Sequence, residues 1–171
     1  WEFGESRLVV ANSNFTYGVL TDDRAQWLGS VADAVADAGV SLTVSQHHAD
    51  RHLAERLPIA DRPMKELLMD GAEVFVSRFS TVPYEAMARG VPFIYHNPHG
   101  ERVPTFASPD GAYDITTAAT ELVAAFGRAL DARGSYRDRS AQFFLQQVDI
   151  GSEPSEMRAA EVIDDIVERS R

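Results

Sequence analysis

The sequence predicts an α/β fold in which helices cover both faces of a doubly wound parallel sheet of five to six strands, with further helices at the C-terminus. Short apolar segments alternate along the chain with amphipathic segments of helical period, as they do in βαβ units. The apolar segments are nearly continuous, which is expected of strands that are buried on both faces. We therefore expect one Rossmann-like domain, and a length of 171 residues, 44% of them hydrophobic, allows a core of ordinary size.

The strands are predicted from apolar runs that are rich in β-branched and aromatic residues. Two of the runs are short, and the last is expected at an edge of the sheet. In chain order, the predicted strands are Arg7–Asn12, Val40–Ser45, Leu57–Asp61, Ala72–Ser77, Val91–His96 and Gly111–Ile115.

The helices are predicted from capping residues, glycine stops and apolar stripes. The first begins at a Thr21 or Asp22 cap and ends near Ala38, before Gly39. Asp61 is expected to cap a later helix that has a proline in its first turn, where proline is tolerated. The helices expected after the first are Arg51–Arg56, Arg62–Gly71, Val82–Arg89, Thr116–Gly134, Ser135–Val148 and Ser152–Arg171.

Composition excludes several classes of function. The chain has no cysteine, so disulfides and thiolate metal sites are ruled out. The formal charge is −10, from 26 acidic and 16 basic side chains, which argues against a nucleic-acid surface. No apolar run is long enough to cross a bilayer, and no signal-peptide pattern follows Trp1. We expect a cytoplasmic protein with no transmembrane segment, and a chain that is a piece of a longer one.

The loops that follow the strands are the candidate ligand-binding segments. In doubly wound sheets, ligands bind outside the carboxyl ends of the strands. Four polar loops occupy such positions: Ser13–Gly18, Gln46–Asp50, Arg78–Pro83 and His96–Arg102.

The loop Arg78–Pro83 opens a predicted helix and has the features of a phosphate site. Ser80 or Thr81 can cap the helix, so that its free N–H groups and two hydroxyls face a ligand. Glu85 lies one residue too far from Thr81 for a capping box. Its carboxylate could accept hydrogen bonds from vicinal hydroxyls such as those of a ribose, or it could simply be an acidic residue favoured near a helix N-terminus. The residue pattern alone leaves both interpretations open.

The segment FSTVPYEAMARGVPFIY, residues 79–95, resembles the donor-binding segment of nucleotide-sugar glycosyltransferases of the GT-B fold. That family has a strand, a Ser/Thr/Gly turn and then EAMA-G-PVI leading into the next strand. The resemblance implies that Ser80 and Thr81 hold the donor diphosphate and that Glu85 binds the donor ribose. Gly90 and Pro92 match the Gly and Pro that lie between the helix and the next strand in that family. The coarse pattern of the whole chain fits the C-terminal domain of such enzymes, most closely those that make bacterial surface polysaccharides or teichoic acid-like polymers.

The resemblance also implies a domain organisation. Residues 1–150 would form the donor-binding domain, and residues 151–171 a helix that packs on this domain or on an N-terminal domain absent from the chain. The acceptor site would lie in that other domain, so we expect the chain to bind a nucleotide-diphosphate sugar without turning it over. No cofactor and no metal are implied, and the acceptor is not defined. The apolar stripe on the last helix, if exposed, would favour self-association.

Two positions depart from the family pattern. Many retaining members have a second Glu eight residues before the ribose Glu, and Ser77 stands there. Many members also neutralise the diphosphate with an Arg and a Lys. Lys65 falls in a predicted helix away from the strand ends, so Arg78 or Arg51 is expected to take that part.

Histidines and an asparagine complete the candidate site. His47 and His48 follow the second strand, and in some polymer-forming relatives a His in this loop approaches the donor phosphates. Such an imidazole could donate to a phosphate oxygen or assist leaving-group departure, although a solvated loop histidine is the alternative. Adjacent histidines point in different directions on an extended chain, so the pair is a poor metal chelate. His96, Asn97 and His99 lie at or after the end of the fifth predicted strand, where a donor sugar or an acceptor could reach.

Two other functions use the same fold. A nucleotide-sugar epimerase has the same two-domain architecture but needs acidic cleft residues that are not evident in this sequence. A degenerate Rossmann-like module used for protein contacts would keep the fold and lose phosphate binding. A response-regulator domain is less well supported, because it needs an acidic pair after the first strand, where the sequence reads VVANSN.

Overall fold

The computed structural model describes residues 8–13, 23–46, 57–78 and 80–147. The strands are β1 Leu8–Ser13, β2 Ser41–Gln46, β3 Ala72–Ser77, β4 Phe93–His96 and β5 Asp114–Thr116. The helices are α1 Arg24–Asp37, α2 Met64–Met69, α3 Val82–Ala88, α4 Ala119–Asp131 and α5 Arg133–Gln147, with a 3₁₀ turn at Pro104–Phe106.

The strands form one parallel sheet in the order β2-β1-β3-β4-β5. β1 pairs with β2 on one side and with β3 on the other, so the strand order reverses direction beside β1. This reversal is the topological switch point of a doubly wound sheet, and the predicted Rossmann-like fold is confirmed.

The predicted strand at Leu57–Asp61 is reduced to a single bridge. Ile59 pairs in parallel with Val44 on the outer side of β2. The main-chain oxygen of Pro58 accepts from the N–H of Val44, and the N–H of Ala60 donates to the oxygen of Val44, each at 2.9 Å. Pro58 itself has no N–H to donate, which limits the pairing to this short stretch.

Helices cover both faces of the sheet, and each face has its own apolar core. On one face, α1 and α4 pack together over the sheet. On the other, α2, α3 and α5 pack with the aromatic residues of β3, β4 and the 3₁₀ turn. Side chains of β3 and β4 are buried toward both faces, as their continuous apolar sequence predicts.

One predicted helix start is wrong, and several others are displaced by a few residues. Asp61 does not cap α2, which begins at Met64 with Pro63 at the N-cap. The ring of Pro63 keeps the preceding residue out of the helical region, so the helix cannot extend back through Arg62. α1 begins at Arg24, and its N-cap residue Asp23 makes no side-chain capping bond.

Some predictions fall outside the described residues. These are the Thr21 or Asp22 cap, the loop histidines His47 and His48, the helix at Arg51–Arg56 and the C-terminal helix with its proposed self-association. In the part of the chain that the structure describes, no helix combines the length and apolarity needed to span a membrane.

Candidate functional site

Two polar side chains meet at the switch point of the sheet. Asn12, near the carboxyl end of β1, donates a hydrogen bond from its side-chain amide to the hydroxyl oxygen of Ser80 at 3.3 Å. The same oxygen accepts the main-chain N–H of Val82, the first residue of α3, at 3.2 Å. Both Asn12 and Ser80 are buried. The start of α3 is therefore attached to the end of β1, where ligands bind in this class of sheet.

The helix end contains the predicted phosphate-binding residues, but it is short. Thr81 is the N-cap residue of α3, is exposed and makes no side-chain capping bond. The hydroxyl that serves the helix end is that of Ser80 instead. α3 has seven residues, so its dipole alone is a weak source of positive potential. Thr81 and the first N–H groups of α3 remain candidates for phosphate contact.

Glu85 is the fourth residue of α3 and extends from its surface. Its carboxylate is 51% exposed and lies 3.8 Å from the guanidinium of Arg89, one turn along the helix. Arg89 also donates to the main-chain oxygen of Glu85 at 2.9 Å. Because a surface ion pair of this length is weak, the carboxylate can exchange this partner for a ligand hydroxyl. Its contact with a ribose stays a prediction.

A cavity of about 620 Å³ opens at this edge of the sheet. It extends from the ends of β1 and β2 to the first residue of α3, and the segment that leads into α2 forms its outer wall. Among the described residues, those that line it are Asn12, Ser45, Gln46, Ile59, Ala60, Asp61, Arg62, Pro63, Met64 and Val82. The lining combines apolar surface with amide, hydroxyl and charged groups, and cavities of this size hold nucleotide-sized ligands.

Arg78, a predicted donor-binding residue, is buried directly after β3. Its guanidinium binds the carboxylate of Glu101 through two hydrogen bonds, from Nε at 2.6 Å and from Nη2 at 2.5 Å. The positive charge of Arg78 is thus compensated within the protein. The sequence predicts that Arg78 neutralises the diphosphate, but the pairing with Glu101 leaves it little net charge to attract that ligand.

Asn97 closes the loop that follows β4. Its side-chain amide donates to the main-chain oxygen of Glu101 at 2.8 Å, and its side-chain oxygen accepts the main-chain N–H of Glu101 at 2.9 Å. Asn97 is buried. The residue therefore shapes the loop, and its predicted contact with a donor sugar stays a prediction.

His96 is a core residue rather than a residue of the ligand edge. It is completely buried, and its ring nitrogens contact the hydroxyls of Thr116 and Ser30, each at 2.9 Å. Burial lowers the pKa of the imidazole to about 4, so the ring is neutral at physiological pH. Its expected access to a sugar or acceptor is wrong, because the side chain points into the α1 face of the sheet.

The neighbouring His99 lies at the N-terminus of α1. Its Nδ1 is 3.9 Å from the carboxylate of Asp23, which precedes Arg24. Arg24 is a buried cation in the first turn of α1. Arg24 and Glu101 are not among the sequence-predicted site residues, although each is a charged residue in the segment that follows the carboxyl end of a strand.

The remaining candidates are outside the site or outside the described residues. Ser77 is fully buried, and its hydroxyl donates to the main-chain oxygen of Arg78 at 2.8 Å. Lys65 is exposed on α2. His47, His48 and Arg51 are not among the residues described. Within the described ranges, no three His, Asp or Glu side chains are grouped closely enough to hold a metal ion.

The comparisons with known proteins identify the fold. No family model and no curated protein matches the sequence significantly. Among solved structures, the glycosyltransferase SnogD from Streptomyces nogalater aligns with a TM-score of 0.65 at 16% identity, over 94% of this chain and 44% of its own. The spinosyn forosaminyltransferase SpnP aligns with a TM-score of 0.65 at 18% identity, over 95% of this chain and 44% of its own.

A third structure belongs to a different kind of enzyme. The wall teichoic acid polymerase TagF aligns with a TM-score of 0.58 at 12% identity, over 98% of this chain and 43% of its own. The chain thus spans less than half the length of each of these proteins. It has the fold of one domain of a GT-B glycosyltransferase.

Proposed function

We propose that this chain is the donor-binding half of a GT-B glycosyltransferase and that it binds a nucleotide-diphosphate sugar. The observation that carries the proposal is the cavity of about 620 Å³ at the switch point, between the ends of β1 and β2 and the start of α3. A doubly wound sheet binds its ligand at this place. The resemblance of residues 79–95 to donor-binding segments supports the same location.

The lining of the cavity divides into parts that suit the parts of a nucleotide. Ile59, Pro63 and Met64 offer apolar surface for a base along the outer wall. Val82, the first residue of α3, lines the opposite side, and we propose that the N–H groups there and the hydroxyl of Thr81, directly before it, bind the diphosphate. We propose that Glu85, further along α3, accepts hydrogen bonds from the ribose hydroxyls.

The proposed chemistry is stabilisation of the leaving group. In sugar transfer, the bond between the sugar carbon and the diphosphate oxygen breaks, and the diphosphate leaves with an added negative charge. Hydrogen-bond donors fixed at the start of α3 would stabilise that charge as it develops. The acceptor, and the base that removes its proton, would belong to the second domain, so we expect this chain to bind donor without transferring the sugar.

The residue at position 77 bears on whether the enzyme could use the paired-Glu arrangement of many retaining glycosyltransferases. The side chain there is a serine hydroxyl that is fully buried and bonded to the main chain. The second carboxylate of the retaining pattern is therefore replaced by a group that cannot act as a base or carry charge. We propose an enzyme that does not use the paired-Glu arrangement.

The test is calorimetric titration of this chain with UDP, GDP, CDP and TDP, beside the Glu85→Ala variant. We expect one nucleotide to bind and the variant to bind it more weakly by about 1–3 kcal/mol, the value of hydrogen bonds to a charged group. The matched control is Asp37→Ala, which removes an exposed carboxylate at the C-terminal end of α1. This variant should bind the nucleotide normally. A folded chain that binds none of the four would contradict the proposal and favour a module for protein contacts.

A further inference from the structure

An ion pair joins the loop between β3 and α3 to the loop after β4. Arg78 follows β3, Glu101 lies in the loop after β4, and the two side chains form the two-point contact of a guanidinium with a carboxylate. The side chains are only 4% and 18% exposed. Such a contact fixes orientation as well as distance, because the planar guanidinium matches the carboxylate edge.

Both partners of this pair are fixed by further hydrogen bonds. The side chain of Asn97 binds the main-chain N–H and oxygen of Glu101. The main-chain oxygen of Arg78 accepts the hydroxyl of Ser77 at 2.8 Å. Ser80, two residues after Arg78, connects to β1 and to the first N–H of α3. Ser77, Arg78, Ser80 and Val82 are thus each held by a hydrogen bond or an ion pair.

The position of Glu101 is unfavourable on charge alone. Its carboxylate compensates the charge of Arg78, and so cancels the attraction that Arg78 would exert on a diphosphate at the start of α3. By contrast, Arg62 and Asp70 form a pair of similar length, 2.6 Å, with side chains 45% and 56% exposed. That pair is a surface contact of small effect. The buried geometry of the Arg78–Glu101 pair therefore calls for a role other than charge attraction.

We propose that Glu101 is a positioning residue. It holds Arg78, and through Arg78 the nearby residues 80–82 at the start of α3, in the geometry that receives the donor diphosphate. The inference rests on the proposed function, since it assigns a part of the same site. A positioning role and a purely electrostatic role predict opposite effects of one substitution on the affinity for the diphosphate.

The substitution is Glu101→Gln, which keeps the shape and removes one negative charge. If Glu101 acts only through its charge, the variant binds the diphosphate more tightly, because Arg78 is no longer compensated. If Glu101 positions the segment, the variant binds about tenfold more weakly, the equivalent of one hydrogen bond to a charged group. The unsubstituted chain and the variant are titrated with the nucleoside diphosphate found in the four-nucleotide screen.

A second readout separates positioning from general loosening of the structure. The corresponding nucleoside, which lacks the phosphates, is measured by competition in both proteins. We expect its affinity to change less than twofold, so that the ratio of diphosphate to nucleoside affinity falls in the variant. Asp37→Asn makes the same charge change at the far edge of the sheet, and its ratio should equal that of the unsubstituted chain.

Arg78→Lys is the second variant, and it decides the question if Glu101→Gln does not fold. Lysine keeps the charge but cannot bridge two carboxylate oxygens, so we expect the same fall in the ratio. If the unsubstituted chain binds the diphosphate and the ratio of diphosphate to nucleoside affinity is unchanged or higher in the folded variants, the inference is overturned but the proposed function is not. Absence of any nucleotide binding by the unsubstituted chain overturns the proposed function, and the inference with it.

Discussion

The indole N–H of Trp27, in α1, donates a hydrogen bond to the main-chain oxygen of His96, at the end of β4, across 2.9 Å. Both residues are completely buried, and their rings lie 5.9 Å apart at a tilt of 43°. Ser30, one turn along α1, contacts Nε2 of the same histidine. Two successive turns of α1 are thereby attached to the end of β4.

Substitution of Trp27 by phenylalanine tests this attachment. The change removes the only N–H of the side chain, so a buried carbonyl loses its partner, and it also leaves part of the indole volume empty. Together these effects should lower the free energy of unfolding by about 2–4 kcal/mol. Urea denaturation followed by far-UV circular dichroism measures the loss. Phe126→Leu, a buried change without a hydrogen bond on the same face, should cost less; an equal cost would mean that the indole hydrogen bond contributes nothing.

The buried imidazole of His96 should make stability depend on pH. Its pKa in the folded protein is about 4, lowered from 6.5 by burial. Above pH 6.5 the ring is neutral in both states and stability is complete. As the pH falls toward 4, the unfolded chain takes up a proton that the folded protein does not, so roughly 3 kcal/mol is lost.

The matched variant for this pH effect is His96→Gln, which keeps hydrogen-bonding groups but does not titrate. We expect it to be less stable than the unsubstituted chain at pH 7.5, with a smaller further loss between pH 6.5 and 4. Urea denaturation at several pH values in that window gives both curves. Parallel curves for the two proteins would show that His96 is already protonated, or accessible, in the folded state.

The sequence was sufficient to predict most of the sheet, because the strands are continuous apolar runs. β3 has the predicted bounds, Ala72–Ser77, and the other described strands differ by only a few residues at their ends. The direction of each side chain was harder to predict. β4 is buried on both faces, so it lacks the alternation of period two that would place Tyr95 on one face and His96 on the other. The residue pattern therefore does not distinguish a core histidine at the end of β4 from one that faces the loop after the strand.

The site was predictable only where it is local in the sequence. Ser80, Thr81 and Glu85 fall within one helix start, and their positions follow from spacing. Contacts between distant segments do not follow from spacing: the Asn12–Ser80 bond spans 68 residues and the Arg78–Glu101 pair spans 23. These contacts depend on strand order, which sets which loops become neighbours.

Gly90, directly before the segment leading into β4, should resist substitution. Its φ is +68°, and a Cβ placed there would lie 2.8 Å from Cγ of Arg137 in α5. The arginine can move aside, but the left-handed backbone cannot accept a side chain without strain. We expect Gly90→Ala to lower the melting temperature, at a cost of about 1–2 kcal/mol.

Gly127, unlike Gly90, should accept a larger side chain. It lies inside α4, and a Cβ placed there meets nothing within 4 Å. Gly127→Ala should therefore stabilise the chain by about 0.5–1 kcal/mol, since alanine is the better helix former and restricts the unfolded chain. Calorimetric melting of both variants compares them directly. Destabilisation by Gly127→Ala would contradict the open space at that position, and an unchanged melting temperature for Gly90→Ala would contradict the left-handed backbone at Gly90.

Two buried tyrosines differ in whether the hydroxyl has a partner. The hydroxyl of Tyr136, in α5, donates to the carboxylate of Asp114 at the start of β5. Burial and the neighbouring carboxylate raise the pKa of Tyr136 to about 12, so the hydroxyl keeps its proton at physiological pH. The hydroxyl of Tyr113 is buried and makes no hydrogen bond within the described residues. The two side chains thus form a natural pair for the same substitution.

Tyr136→Phe should lower the free energy of unfolding by about 1–3 kcal/mol, because it removes a bond to a charged group and leaves Asp114 with one donor fewer. Arg128 remains 3.3 Å from the same carboxylate, which limits the loss. Tyr113→Phe should leave stability unchanged or raise it by about 1 kcal/mol, since it removes a buried polar group that lacks compensation. Urea denaturation at neutral pH measures both. A larger loss from Tyr113→Phe than from Tyr136→Phe would mean that the Tyr113 hydroxyl has a partner and that the Tyr136–Asp114 bond does not attach α5 to the sheet.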